Sequence, residues 1–181
     1  DHAFPENATP TVFAMTNPFT PPTLESIGEG LSVISVPDER WLHCDIKSIS
    51  LLGNILARQT AVEAGAIEAV LFRDGYLTEG ASSNIWVVKD GKLLAPPHDN
   101  LILEGIRYEL MEELARRSGI PFEARRISQD EVRNADELLL TAATKEVKPI
   151  TRLDGQPVGK GVPGPIFHKL FAAYQEAKAQ R

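Results

Sequence analysis

Three Asp-Gly dipeptides, each following a short apolar run, constrain the fold of this chain more than any other feature of its sequence. They lie at 74–75, 90–91 and 154–155, in the stretches AVLFRDGYLTEG, SSNIWVVKDGKLLAP and VKPITRLDGQPVG. The tight turn between antiparallel strands needs a positive φ at both central residues, which Asp and Gly tolerate. The sequence therefore predicts two β-hairpins and a third strand that ends in the same kind of turn.

Outside these turns, the sequence predicts further strands and a set of single helices. Short runs rich in apolar and β-branched residues predict strands at 11–16, 31–37, 122–128 and 136–143, and residues 43–47 read as the end of another strand. Helical spacing of apolar residues, with caps and terminal glycines, predicts helices at 48–64, 105–117, 128–135 and 163–181. Strands grouped in hairpin blocks predict an α+β fold with a mixed sheet rather than a doubly wound one.

Composition excludes several classes of protein. The 181 residues carry a net charge of -6, whereas a nucleic-acid binder needs clustered basic charge. Apolar residues make up 43 %, typical of globular proteins, and no apolar run approaches the ~20 residues of a membrane span. The single cysteine, Cys44, excludes an internal disulfide and fits a reducing cytoplasm. The four histidines are scattered without zinc-ligand spacing, so no metal site is predicted.

Lys47 is the first candidate for chemistry, because its neighbours in the sequence include Ile46 and Ile49. A lone lysine of this kind usually lays its stem on apolar surface and keeps its ammonium in water. The alternative is a desolvated amine that is partly neutral and able to form a Schiff base. The residue alone does not decide between the two.

Three other stretches could form parts of a ligand site. Glu79 precedes a run of small residues in TEGASSNIW, which is either a polar hairpin loop or a carboxylate that a planar ring can approach. Gly105 opens a predicted helix, which is either a simple loop-to-helix entry or an anion site at the helix N-terminus. The strand before Thr144 ends in small and hydroxyl residues, an ordinary strand end or a second lip of a phosphate pocket. An amine, a carboxylate for a ring nitrogen and two phosphate cradles are together what pyridoxal 5'-phosphate requires.

The order and wording of these motifs resemble the D-amino-acid transaminases. RWLHCDIKSISLLGNILA, TEGASSNIW, LILEGIR and TAATKE look like the corresponding segments of that group, over essentially the whole chain. The group belongs to the fold type IV enzymes that use pyridoxal phosphate, with the branched-chain aminotransferases and aminodeoxychorismate lyases. The resemblance implies the large domain of that fold, in which the mixed sheet forms a pseudo-barrel with flanking helices.

The resemblance also implies roles for individual residues. Lys47 matches the lysine that binds the cofactor aldehyde as a Schiff base and moves the substrate proton, and Glu79 matches the carboxylate that pairs with the ring nitrogen. The implied cofactor contacts are Lys47, Glu79, Ser82, Ser83, Leu103, Gly105, Ile106, Arg107 and Thr144. Relatives often carry Thr at the position of Arg107, so here a hydroxyl contact is lost and the backbone N–H serves. Ala81 replaces a frequent Ser.

The first residues fit the start of such a domain. HAFP resembles a segment in which an Arg and a His hold the substrate carboxylate across a dimer interface, so the resemblance implies that His2 binds substrate. Residues 1–22, which hold five of the thirteen prolines, are expected to be an interdomain linker and domain start. Residues 23–181 are expected to be the cofactor-binding large domain, with the family's small N-terminal domain absent from this chain.

The expected activity is transamination between a D-amino acid, D-alanine above all, and a 2-oxo acid, 2-oxoglutarate above all. The expected form is a cytoplasmic homodimer that binds small-molecule substrates and neither nucleic acid nor membrane. The alternatives are a branched-chain aminotransferase, an aminodeoxychorismate lyase, or a fragment that binds pyridoxal phosphate without turnover.

Overall fold

The computed structural model of the chain describes residues 2–180, apart from the side chain of Ser26. From residue 48 onward, helices and strands alternate as hairpin blocks and single helices, in the order predicted. In chain order the elements are α1 (Leu24–Ile27), β1 (Leu31–Pro37), α2 (Leu52–Glu63), β2 (Glu68–Arg73), β3 (Tyr76–Gly80), β4 (Asn84–Lys89), β5 (Lys92–Ala95), α3 (Tyr108–Arg117), β6 (Phe122–Ala124), α4 (Gln129–Arg133), β7 (Glu137–Ala142), β8 (Glu146–Leu153), β9 (Gln156–Pro157) and α5 (Pro165–Ala179).

All nine strands of the described chain belong to one mixed sheet. Its order is β3-β2-β1-β8-β7-β4-β5-β6, with β9 paired to β8. Strand β1 runs parallel to both of its neighbours, and β5 runs parallel to β6, while the other pairs are antiparallel. The predicted α+β fold with a mixed sheet is thereby confirmed.

The short connection between β3 and β4 requires this sheet to curl. In the sheet order β3 and β4 lie five positions apart, which in a flat sheet would be about 24 Å. Only residues 81–83 join them, a path of at most about 15 Å. The two strands do meet, since the Gly80 amide donates to the Ser83 carbonyl at 2.6 Å. The sheet therefore curls so that the edge strand β3 lies close to β4, which forms the partial barrel that the resemblance implied.

The three Asp-Gly turns form as predicted. Asp74 and Gly75 have φ of 51° and 79°, Asp90 and Gly91 51° and 73°, and Asp154 and Gly155 52° and 75°. Positive φ at both positions matches the twist of the flanking strands. Each turn therefore joins the two strands on either side of it, β2 to β3, β4 to β5 and β8 to β9.

Alternation along the strands divides the core between the two faces of the sheet. On β4, Ile85 and Val87 join one buried cluster, whereas Trp86 and Val88 join another. The Trp86 cluster is closed by buried residues of α3 and α5, and the Ile85 cluster includes Val132 of α4. Helix α2 packs on the part of the sheet near Ala69 and Leu71.

Two predicted strands are wrong. Residues 11–16 have no regular secondary structure, and Val12 and Phe13 are largely exposed. Both sides of β1 are already taken by β2 and β8. Residues 43–47 form a loop, because β1 ends at Pro37 and the chain then leaves the sheet.

Several predicted bounds are too wide. Helix α2 begins at Leu52 rather than residue 48, because the Ser48 hydroxyl accepts from the Ser50 amide and forms a local turn instead. Helix α3 begins at Tyr108 rather than 105, and β6 covers only the first three residues of 122–128. Arg181, the last residue of the predicted C-terminal helix, lies outside the described residues. Within 2–180, no helix has the length and apolar character needed to cross a membrane.

Candidate active site

The main cavity of the described chain lies where the curled sheet closes, and has a volume of about 550 Å³. It is lined by the loop that follows β1, by α2, by the β3–β4 connection, by the segment before α3 and by the end of β7. The lining residues fall in the ranges 40–59, 79–84, 103–107 and 141–143.

Most of the residues that the sequence singled out meet in this cavity. The lining includes Lys47, Glu79, Ser82, Ser83, Leu103, Gly105, Ile106 and Arg107. Thr144 does not line it, but is exposed in the turn after Ala143, which does. His2 lies in the exposed N-terminal segment and is not among the lining residues.

Lys47 reaches the cavity from the loop between β1 and α2, not from a strand end. Its side chain is exposed, and Ile46 and Ile49 are 52 % and 98 % exposed. These two isoleucines therefore do not desolvate the Lys47 amine in this structure, because side chains that face water cannot exclude it. Lys47 instead contributes an exposed residue to one wall of the cavity.

Glu79, in contrast to the exposed Lys47, is a buried carboxylate near the end of β3. It is 5 % exposed, and it accepts hydrogen bonds from the Arg40 guanidinium, from the Asn84 amide at 3.3 Å and from the Leu103 backbone N–H at 3.2 Å. Burial raises the pKa of Glu79 to about 7, against the opposing charge and hydrogen bond of Arg40. The carboxylate therefore titrates near neutral pH.

Arg40 is a residue of the site that the sequence did not single out. Its Nε and Nη2 donate to the two oxygens of Asp38 at 2.9 and 2.8 Å, its Nη2 to the Leu101 carbonyl at 3.1 Å, and its Nη1 to Glu79. Arg73 pairs with Asp38 from the other side at 3.1 Å. In sequence the only signal is an Asp two residues before an Arg, a spacing that is common in exposed loops.

Asp38 is the centre of this ion network. Its side chain is fully buried. Burial acts to raise its pKa, but the hydrogen bonds and charge of Arg40 and the Thr78 hydroxyl outweigh burial and lower the pKa to about 2. Asp38 therefore stays ionised and holds both arginines beside the cavity.

The two serines of the β3–β4 connection are held by another buried carboxylate. Ser82 and Ser83 donate to Oε2 of Glu68 at 2.9 and 3.1 Å, and Lys145 donates to the same oxygen at 3.0 Å. Glu68 is completely buried. It thus ties the β3–β4 connection to the turn after β7, the two places where the sequence predicted serine and threonine contacts.

Asn84 positions the segment that leads into α3. Its Nδ2 donates to the Leu103 carbonyl at 2.9 Å, and its Oδ1 accepts from the Gly105 N–H at 3.2 Å. A Cβ on residue 105 would collide with Asn84 Oδ1, so the absence of a side chain at Gly105 permits this approach. The segment is thereby fixed where it lines the cavity.

Arg107 is the N-terminal cap residue of α3 and turns its side chain towards α5. Its Nε donates to the Tyr174 hydroxyl at 3.0 Å, and its guanidinium lies over the Tyr174 ring. Its Nη1 is buried and, among the described residues, has no hydrogen-bond partner. A buried guanidinium nitrogen without an acceptor is costly, so an anion at this end of the cavity would be stabilised.

The end of β7 supplies the remaining wall. Thr141 accepts from the indole N–H of Trp86 at 2.9 Å, so its hydroxyl oxygen is already engaged. Within residues 2–180, no group of three or more His, Cys, Asp or Glu side chains could hold a metal ion. The cavity thus combines the exposed Lys47, the buried Glu79 carboxylate and the unpaired Nη1 of Arg107.

Curated proteins of similar sequence are named D-alanine aminotransferases. The chain is 42 % identical over 176 residues to the D-alanine aminotransferase of Bacillus licheniformis, an alignment that covers 97 % of the chain and 62 % of that protein. It is 38 % identical over 177 residues to the D-alanine aminotransferase of Staphylococcus aureus, with the same shares covered. The chain thus spans about three-fifths of the length of these curated relatives.

Solved structures show the same fold. The branched-chain aminotransferase of the archaeon Thermoproteus uzoniensis with norvaline superimposes with a TM-score of 0.76 at 30 % identity, covering 82 % of this chain and 51 % of that one. The Thermobaculum terrenum branched-chain amino acid aminotransferase in its PLP form also gives 0.76 at 30 % identity, covering 86 % and 54 %.

The sequence also matches a family as a whole. Residues 1–153 match the family described as amino-transferase class IV. This match covers most of the chain and includes the loop of Lys47, the buried Glu79 and the segment before α3. The chain belongs to the class IV aminotransferase family.

Proposed function

We propose that this chain is the cofactor-binding part of a pyridoxal-phosphate-dependent aminotransferase that acts on D-amino acids, with D-alanine as donor and 2-oxoglutarate as acceptor. The observation that carries the proposal is that Lys47, Glu79 and the segment 105–107 line one cavity. The relatives named D-alanine aminotransferase support the choice of D-amino acids.

The residues present fit such a cofactor. A cavity of about 550 Å³ is within the range of small-molecule sites. The buried Arg107 Nη1, which has no acceptor among the described residues, suits a phosphate group, as does the start of α3. The buried Glu79 carboxylate suits a protonated ring nitrogen.

When bound, pyridoxal phosphate supplies an aldehyde for amines and an electron-withdrawing ring. Lys47 provides the amine that attaches the cofactor and that moves a proton at the substrate α-carbon. Glu79 holds the ring nitrogen proton, and Arg107 with the N–H groups of 105–107 binds the phosphate. Leu103 would pack against the ring, Ser82 and Ser83 would lie beside the cofactor, Thr144 would contact the phosphate, and His2 would bind the substrate carboxylate.

A branched-chain aminotransferase is the second candidate. The two solved structures described above are named branched-chain aminotransferases, and both superimpose with a TM-score of 0.76. Lys47 and Glu79 serve either reaction, so the donor distinguishes the two.

The experiment compares the wild-type protein with Lys47→Ala and a matched exposed-lysine control, Lys169→Ala, after addition of pyridoxal phosphate. We expect wild type and Lys169→Ala to absorb visible light and to retain cofactor covalently after borohydride reduction, and Lys47→Ala to retain none. D-alanine should then bleach the wild-type band at least about tenfold faster than L-leucine, a difference of roughly 1.4 kcal/mol in activation free energy.

Two outcomes would contradict the proposal in different ways. A wild-type protein that takes up no pyridoxal phosphate would refute the cofactor. Bleaching by L-leucine and not by D-alanine would refute the D-amino-acid assignment in favour of the branched-chain one.

We also propose that the intact protein is a cytoplasmic homodimer, as the resemblance implies. The single cysteine is in keeping with a reducing compartment. The exposed apolar residues Leu52 and Leu56, which lie one turn apart on α2, support a second copy as partner.

A further inference from the structure

Arg40, buried against Glu79 at the cavity wall, has no role in the function proposed above. The side chains of Arg40 and Glu79 are 5 % and 7 % exposed. Arg40 reaches Glu79 with Nη1, while Nε and Nη2 are anchored on Asp38 and on the Leu101 carbonyl. Every nitrogen of the guanidinium is thus engaged, and the side chain has one possible orientation.

This anchoring makes the contact with Glu79 directional. Asp38 binds the guanidinium as a two-pronged fork, a geometry that an ammonium cannot reproduce. Asp38 is itself held by the Thr78 hydroxyl at 2.8 Å and by Arg73. The loop of Arg40 is held in turn, since Arg73 also donates to the Arg40 carbonyl at 2.7 Å.

The charges of the network balance. Two arginines, Arg40 and Arg73, face two carboxylates, Asp38 and Glu79. The other hydrogen-bond donors to Glu79 are the neutral Asn84 amide and the Leu103 N–H. The buried Cys44 thiol is near enough to interact electrostatically with all four charged residues of the network. Arg40 is therefore the cationic group in direct contact with Glu79.

We propose that Arg40 is a positioning residue, which keeps the Glu79 carboxylate anionic and fixes its orientation at the cavity for a protonated ring nitrogen. The need for such a nitrogen rests on the proposed function, whereas the effect on Glu79 does not. Two buried, oppositely charged groups in direct contact stabilise each other's ionised forms. Without Arg40 the carboxylate would lose its charge where the function needs it.

The first arm of the test uses the protein without cofactor and follows the Glu79 carboxyl by ¹³C NMR during a pH titration. Arg40→Gln should raise the titration midpoint of Glu79 by at least about one pH unit, a tenfold gain in proton affinity, since a close opposite charge typically shifts a pKa by about 1–3. Arg73→Gln is the matched control, because it removes an arginine from the same network without touching Glu79, and its shift should be much smaller. An unchanged midpoint in Arg40→Gln, or an equal shift in both variants, would overturn the proposal.

Arg40→Lys covers the case in which Arg40→Gln does not fold. It retains the positive charge but loses the two-pronged contact with Asp38, so the titration midpoint of Glu79 should still rise above that of wild type, and an unchanged midpoint would overturn the proposal.

The second arm uses protein loaded with pyridoxal phosphate labelled with ¹⁵N in the ring. The ring nitrogen should be protonated at about pH 8 in wild type and largely neutral in Arg40→Gln and in Glu79→Gln. In the double variant the second change should add little, because Arg40 acts through Glu79. A ring nitrogen that stays protonated in Arg40→Gln would overturn the role at the ring. Failure of the wild type to bind the cofactor would instead refute the proposed function, with the first arm still deciding the effect on Glu79.

Discussion

At the scale of single residues, the burial of each side chain affects the chemistry of the site as much as the residue type does. Lys47 is exposed and Glu79 is buried, although the sequence around Lys47 is the more apolar of the two. Sequence neighbours do not report burial in a loop, because loop side chains do not alternate with a fixed period. The burial of Glu79 did not follow from its sequence neighbours either, because its contacts are with the Arg40 side chain and the Leu103 backbone, which are remote in the sequence.

Glu79 should make the stability of the protein without cofactor depend on pH. Burial raises its folded pKa from 4.5 to about 7, so its contribution is fully present below about pH 4.5 and is lost as pH rises through about 7. The free energy of unfolding of wild type should fall between about pH 5 and 8, by up to about 3 kcal/mol. Asp38, with its lowered pKa, acts in the opposite sense and only below about pH 4.

Urea unfolding at several pH values measures this effect. Glu79→Gln should remove most of the decline, whereas the exposed-residue control Glu176→Gln should keep it. A Glu79→Gln protein whose stability falls as steeply as wild type would show that another group causes the decline.

At the scale of elements, what could be predicted depended on how local the determinants are. The Asp-Gly turns were correct, since each turn is specified by two residues and the runs beside it. The strand predicted at 11–16 was wrong, because a strand also needs a partner strand. The loop of Arg40 was not predicted, because its conformation depends on contacts with Asp38, Thr78 and Arg73 together. Of the candidate site, the cavity-lining motifs were predicted, and the ion network beside them was not.

Helix α4 is an element whose start could be predicted from neighbouring residues alone. The Ser128 hydroxyl accepts from the Glu131 N–H at 3.2 Å, and the Glu131 carboxylate accepts from the Ser128 N–H at 2.9 Å. The Gln129 N–H also donates to the Gly75 carbonyl, which joins the helix start to the β2–β3 turn. The five-residue helix thus depends strongly on its cap.

Ser128→Ala should therefore lower the free energy of unfolding by about 1 kcal/mol. Thermal or urea unfolding measures the change. Ser118→Ala, at the C-terminal end of α3, is the control and should change stability by less than about 0.5 kcal/mol. Equal effects of the two changes would show that the cap does not stabilise α4.

At the scale of the whole molecule, the sheet and its helices leave an apolar surface exposed on α2. Leu52 and Leu56 are 67 % and 57 % exposed, and neither lines the cavity. A surface of this kind is typical of a contact between proteins, and the proposed homodimer would bury it.

Sedimentation velocity over a range of concentrations tests that arrangement. Wild type should sediment as a dimer, and Leu52→Glu should raise its dissociation constant at least about tenfold, equivalent to roughly 1.4 kcal/mol. Val162→Glu, at an exposed apolar residue outside α2, is the matched control and should leave the constant unchanged. A monomeric wild type would refute the dimer of this chain, and a fully dimeric Leu52→Glu would refute the α2 surface.

The short β3–β4 connection also has a consequence for the order of folding. Strand β1 pairs with β8 across more than half of the chain, as Leu31 with Ile150, and pairings this remote form slowly. Glu79 and Asn84 lie on either side of a connection that closes only when the sheet has curled, so the cavity is complete only in the curled sheet. A ligand of this cavity therefore binds the folded state and not partly folded states, and its binding raises the free energy of unfolding.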